Sequence, residues 1–122
     1  MFIDHTGFSV SDYQRSKTFY LQALKPLRAE LIMEVDEWGG FGRDSKPQFW
    51  VGKGDEPHAP LHIAFVAENR EQVRQFYQAA LEAGGKDNGG PGLRENYHPN
   101  YYAAFIIDPD GHNIEALCLS PE

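Results

Sequence analysis

The sequence predicts an α+β fold of two tandem βαβββ modules, and three observations carry that prediction. The chain repeats itself. With His5 set against His62, an offset of 57, HTGFSVSDYQRSKTFYLQAL (5–24) lies over HIAFVAENREQVRQFYQAAL (62–81) without a gap. Six of these twenty positions are identical: His5/His62, Phe8/Phe65, Phe19/Phe76, Tyr20/Tyr77, Ala23/Ala80 and Leu24/Leu81. Each copy also opens with a short apolar run and continues into an amphipathic segment of helical period, a strand followed by a helix. Further short apolar runs then follow each helix. Two unrelated strand–helix units share periodicity but rarely the same residues, so we read a duplication with about 60 residues per copy.

In the first copy, Ile3–Val10 is the opening strand, apolar and partly β-branched or aromatic. Ser11 and Gln14 form a capping box for the helix after it, and Pro26 stops that helix. Strands are then expected over Ala29–Val35, Trp38–Gly42 and Gln48–Gly52. KGDEPHAP (53–60) reads as the linker, with His58 solvated in it. In the second copy, Leu61–Ala67 is the opening strand, and Asn69 with Gln72 makes the matching capping box. Val73, Phe76, Tyr77, Ala80 and Leu81 follow at i, i+3, i+4, i+7 and i+8, one apolar stripe facing a sheet. Gly84 and Gly85 end the helix. Lys86–Asn88, Tyr101–Ile107 and Asn113–Leu119 complete the strands. The last two are joined by Asp108-Pro109-Asp110-Gly111, a tight turn with Pro second and Gly fourth. The stretch 84–100, rich in Gly and Pro, reads as a long loop. The expectation is one domain over 1–122, with module 1 at about 1–54, a linker at 53–60 and module 2 at about 61–122.

Composition narrows the function. A chain of 122 residues and 13.8 kDa is the size of one domain. Eighteen acids against eleven bases give a net charge of −7, which argues against nucleic acid, where neutralising phosphates supplies most of the affinity. The longest apolar runs fall far short of the ~20 residues a membrane helix needs. MFIDHTGFSV has no basic region leading into an apolar core, so no signal peptide is expected. Cys118 is the single cysteine; no internal disulfide can form, and a cytoplasmic setting is expected.

Strands alternate sides with period two. On the first strand His5 shares a face with Gly7 and Ser9; on its counterpart His62 shares one with Ala64 and Val66. The large residues belong under the helices, so both histidines face the other way beside small residues, the setting of a cleft. Glu115 stands in the middle of the last strand, where a buried carboxylate requires a partner. Two histidines and one carboxylate facing inward make a divalent-metal set suited to Zn, Ni, Mn or Fe(II), with positions left open for substrate. Taken singly, each of these residues has a plainer reading as a hydrogen-bonded strand histidine or an edge charge; the repeat is what joins them. His112 alternates onto the face opposite Glu115, Cys118 reads as a small buried hydrophobe, and His98 reads as a surface-loop residue. Gly89-Gly90-Pro91-Gly92 lacks the Lys-Ser/Thr and the helix of a phosphate loop.

DHTGFSVSDYQRSKTFY, HIAFVAENREQVRQFY and YYAAFIIDPDGHNIEA together resemble the vicinal oxygen chelate superfamily, which includes lactoylglutathione lyase, bleomycin-resistance proteins and extradiol dioxygenases. The resemblance covers essentially the whole chain. It implies two βαβββ modules forming a curved, cleft-enclosing mixed sheet with helices on its outer face. It also implies metal ligands at His5, His62 and Glu115, with Glu115 the catalytic carboxylate, and it implies a homodimer. A fourth ligand would come from the last strand of the first module, KPQFWVGK; aligning the turns sets Phe49 there, with Gln48 or Trp50 if the register slips, and none is a carboxylate. The isomerisation of the lyase type uses a carboxylate there, so that activity is not expected. Phe49, Trp50, Tyr97 and Tyr102 are candidates for an apolar pocket wall and Arg94 for a substrate anion clamp, although each also fits ordinary packing or surface. The leading expectation is a metal-dependent enzyme, of lyase, isomerase or dioxygenase type, acting on a small molecule held through two adjacent oxygens. The alternative is a metal-free small-molecule binding or drug-sequestration protein, for which the charge of −7 suits a cationic ligand.

Overall fold

A computed structural model describes residues 3–54 and 60–121 of the protein, so the expected position of His58 lies outside the described residues. Two helices and nine strands follow one another as β1 (Thr6–Val10), α1 (Tyr13–Ala23), β2 (Glu30–Val35), β3 (Trp38–Arg43), β4 (Lys46–Lys53), β5 (His62–Val66), α2 (Arg70–Glu82), β6 (Lys86–Asp87), β7 (Gly92–Leu93), β8 (Tyr102–Ile107) and β9 (Asn113–Cys118). A short 3-10 turn, Lys25–Leu27, carries Pro26 just after α1. The α+β reading holds. The first module forms a sheet of order β1-β4-β3-β2, and the second a sheet of order β5-β9-β8-β6 with β7 also on β8. In both, the opening strand runs parallel to the last strand of its module. Only β7 and the 3-10 turn had no counterpart in the sequence reading.

The repeat corrects one cap. Asp12, not Ser11, is the N-cap of α1; its carboxylate accepts from the Arg15 N–H at 3.1 Å. Asn69, its partner at the offset of 57, caps α2 in the same way by accepting from the Gln72 N–H at 2.8 Å. Ser11 is drawn off to Asp110 in the second module, to which its hydroxyl donates at 2.5 Å.

One apolar core draws on both modules. Phe8, Phe19, Tyr20, Phe41 and Phe49 from the first meet Val73, Phe76, Ile106 and Ile114 from the second. Phe49 and Phe65 touch edge to face across the boundary at 5.1 Å. Among the described residues, polar contacts join the modules at two places: Arg28 pairs with Glu68, and α1 meets the β8–β9 turn. The buried Tyr20 hydroxyl donates to Asp108 at 2.5 Å, and Asp108 also accepts the backbone N–H groups of Asp110 and His112 at 2.9 Å each. Burial, reinforced by the Asp108 carboxylate, pushes the Tyr20 hydroxyl well above its ordinary value. His112, expected on the face opposite Glu115, is buried, its ring against Phe8 and its Nδ1 accepting from the Leu61 N–H.

Asp110 links this turn to acid stability. Burial alone would raise its pKa, but the bonds from Ser11 and Ser16 outweigh that and hold it below the ordinary 3.8. A carboxylate depressed in the folded state adds stability that is present above its unfolded value and lost as pH falls through the folded one. Asp110→Asn should therefore be less stable at neutral pH, and the gap to the parent protein should close below about pH 4. Melting temperatures across that range check this; a gap unchanged with pH refutes it.

Candidate functional site

Strand pairing decides which side chains share a face. In the second sheet Ala64 lies opposite Glu115, and Glu115 lies opposite Phe105. His62, two residues before Ala64, stands on that face, while Ile63 and Phe65 turn toward the core. The His62 Nε2 is 3.0 Å from Glu115 Oε1. The other carboxylate oxygen accepts from the Tyr101 hydroxyl. The His62 Nδ1 meets the carbonyl of Asn113 at 3.2 Å, so the ring is held from both sides. Phe105 lies nearly parallel to the imidazole, with centroids 6.4 Å apart. The Glu115 side chain is 3% exposed and that of His62 51%, which makes an accessible imidazole over a buried carboxylate. Burial, and then the bond to Glu115, pushes the Tyr101 hydroxyl up to about 12, so it remains a proton donor to the carboxylate at neutral pH.

His5 does not join this pair. It precedes β1 instead of lying within it, its side chain is 60% exposed, and its Nδ1 is 2.7 Å from Asp4. Asp4 is bound in turn by the Lys46 ammonium, which with His5 lowers its pKa. Among the described residues no group of three His, Cys, Asp or Glu side chains is placed to hold a metal ion. Within one chain the donor set is therefore two, one short of the three protein ligands of an open catalytic site. His5 and His62 do line one cleft of about 450 Å³, with Phe41, Phe49, Ile63 and Phe65 as apolar wall.

The register also corrects the alignment of the fourth position. In the first sheet Gly7 lies opposite Trp50, and Gly7 is the repeat partner of Ala64, which lies opposite Glu115. Trp50, not Phe49, is thus the counterpart of Glu115. Matching the two turns missed this by one residue because the β3–β4 pairing shifts between Phe41 and Gly42. Phe49 faces the core, packed on Phe8 and Tyr20, and reaches the cleft from that side. The Trp50 indole covers Gly40: a Cβ there would stand 2.8 Å from its Cζ2.

The remaining candidates separate. Tyr102 is turned to the helices, with the Arg70 and Arg74 guanidiniums over its ring at 5.1 and 5.8 Å. Tyr97 is largely exposed and rests edge to face on Tyr101 at 5.1 Å. Arg94 lies over the Phe105 ring at 5.3 Å. Tyr101 and Phe105 were missed from sequence. Period-two alternation back from Glu115's neighbour would have found both, since 101, 103 and 105 share one side of the strand and 102 the other.

Comparison with known proteins agrees with this architecture. The model of the Glyoxalase/Bleomycin resistance protein/Dioxygenase superfamily matches residues 2–116. A glyoxalase/bleomycin resistance protein from Albidiferax ferrireducens is 26% identical, with a TM-score of 0.81, over 93% of this chain and 95% of that one. A glyoxalase/bleomycin resistance protein/dioxygenase family enzyme from Burkholderia phytofirmans shares the fold at 15% identity and a TM-score of 0.75, covering 97% and 98% of the two chains. A glyoxalase I mutant from Zea mays shares it at 20% identity and a TM-score of 0.70, over 93% of this chain and 45% of that one.

Proposed function

Because the chain belongs to the Glyoxalase/Bleomycin resistance protein/Dioxygenase superfamily, we propose that it acts on a small molecule bound through two adjacent oxygens at a divalent ion held by His62, Glu115 and the partner's His5. The observation that carries this reading is the 3.0 Å approach of His62 to a buried Glu115 whose second oxygen is fixed by Tyr101. A buried carboxylate so oriented is a preformed ligand, and the tyrosine holds it in place. A divalent ion at this position supplies Lewis-acid stabilisation of charge developing on the bound oxygens. The chain's own residues do the rest. Glu115 brings the single negative charge of the set, His62 stays accessible to the cleft, and Phe105 lies nearly parallel to the imidazole on one side.

A second copy is proposed because His5 stands apart from the pair and because the faces involved carry uncovered apolar side chains. Val66 follows His62 and Ala64 on the second sheet, and Met33, Val35 and Trp38 share the Trp50 face of the first; all four are exposed. We propose that a homodimer covers these faces and that the third ligand comes from the second copy.

Metal analysis with calorimetric titration tests the reading. Zn, Ni, Mn or Fe(II) should bind the parent stoichiometrically, and His62→Ala and Glu115→Gln should each lose that binding. Mixing His5→Ala chains with His62→Ala chains should restore one site per mixed pair, whereas a site built within one chain recovers nothing. Trp50 in the place of a carboxylate, together with the apolar cleft, favours a second reading as a metal-free binding protein for small molecules. Absence of metal binding by the parent would favour it, and binding unaffected by His62→Ala and Glu115→Gln would overturn the proposed ligands.

A further inference from the structure

The cleft of about 450 Å³ offers room for a ligand in its own right, apart from the pair at Glu115. His5 and His62 border it, but Glu115, Tyr101 and Trp50 are not in its lining. It runs instead toward the end of α1, with Leu24, Leu27, Phe41, Phe49, Ile63 and Phe65 as walls. The first four belong to the buried core, and Phe49 meets Phe65 edge to face at 5.1 Å. A space of this size with packed apolar walls suits a ring-sized apolar body.

Arg43 lines the same cleft. It is half-buried, and among the described residues it has no ion pair or side-chain hydrogen bond, whereas Arg15, Arg28 and Arg74 are each paired with an acid. The strand register explains why. Arg43 lies opposite Lys46 across the β3–β4 hairpin, so two cations share one corner. Asp4 reaches that corner, but it binds Lys46 at 2.7 and 2.8 Å and His5 at 2.7 Å. Asp44, next in the turn, is exposed and bonded to neither cation. One cation is thus neutralised and the other left over, in a chain whose net charge is −7. A guanidinium partly withdrawn from water without a counter-charge is a binding group for an anion.

We propose that the cleft binds an amphipathic monocarboxylate, with its apolar body against Phe41, Phe49 and Phe65 and its carboxylate on Arg43. A guanidinium offers two parallel N–H donors to the two oxygens of a carboxylate, which makes that group the matching head. One carboxylate is expected and not two, because Asp4 already neutralises Lys46. No bound ion takes part in this site. The inference rests on the second reading above, a metal-free binding protein, and names its ligand class.

Biphenyl-4-carboxylate and its neutral amide separate head from body. Each is titrated by calorimetry into the full chain in the presence of a chelator. Both should bind, the carboxylate about tenfold more tightly, the ordinary worth of a charge-assisted hydrogen bond. Arg43→Gln should erase that advantage, and Arg43→Lys should keep part of it. Melting temperatures equal to the parent's show that both variants fold. Methyl spectra of the parent chain locate the body without any substitution: the Ile63 signals should shift, and those of Ile107, two strands away on β8, should not. Equal affinities for acid and amide, or an advantage that survives Arg43→Gln, overturn the carboxylate site while a metal-free binding cleft stands. Shifts that miss Ile63 overturn the cleft as the site. Binding of neither probe overturns the metal-free reading with it.

Discussion

Phe76→Ala should lower the unfolding free energy by about 3–5 kcal/mol, the cost of emptying a fully buried phenylalanine site. Phe76 is inaccessible to solvent on the inner face of α2, in line with Val73 and Ala80. That helix packs on β8, β9 and α1, so the cavity would open between both modules and have little room to collapse. Phe19, its counterpart in the repeat, is equally buried, and Phe19→Ala should cost a similar amount. Denaturant midpoints at unchanged slope check the pair. A loss below about 1 kcal/mol at either site would mean that the phenyl ring is not at the centre of the core.

Asp108→Ala should be comparably damaging for a different reason. Its carboxylate accepts from the Tyr20 hydroxyl and from two backbone N–H groups in a buried turn. Removing it strands three donors away from water, each costing about 1–3 kcal/mol. Asp108→Asn should recover part of the loss, because the amide oxygen still accepts. Tyr20→Phe should cost less than Asp108→Ala, since it leaves the backbone bonds intact. Equal losses in Tyr20→Phe and Asp108→Ala would show that the backbone bonds contribute nothing.

Much of this architecture was legible in the residues themselves. The repeat located both helices and the parallel opening strands, because Phe19/Phe76 and Ala23/Ala80 must serve the same packing role twice. Period-two alternation put His62 and Glu115 on one face, and β5 and β9 carry them there as neighbours. What stayed hidden was set by events one residue long. β1 begins at Thr6, which frees His5 from the strand to pair with Asp4. The irregularity at Phe41/Gly42 moved the counterpart of Glu115 from Phe49 to Trp50. Choosing Tyr102 over Tyr101 reversed a face, since a slip of one residue turns every side chain over. Asp12 was recoverable from the repeat, because Asn69 stands 57 residues on.

The two modules also diverged at matched places. Tyr20 reaches Asp108 across the module boundary, whereas Tyr77 stays local and donates to Asp87 at 3.0 Å. Only the first tyrosine became a tie between the halves.

Trp50 shows how such a difference constrains substitution. The indole fits because Gly40 lacks a side chain: a Cβ there would come within 2.8 Å of the ring. Gly7 instead stands beside the Trp50 Cβ and carbonyl oxygen, a close approach that any residue with a Cβ at position 50 would keep. Positions 40 and 50 face each other on neighbouring strands. A side chain at 40 must displace the tryptophan, and a smaller residue at 50 leaves a hollow above the glycine, so steric fit couples the two positions.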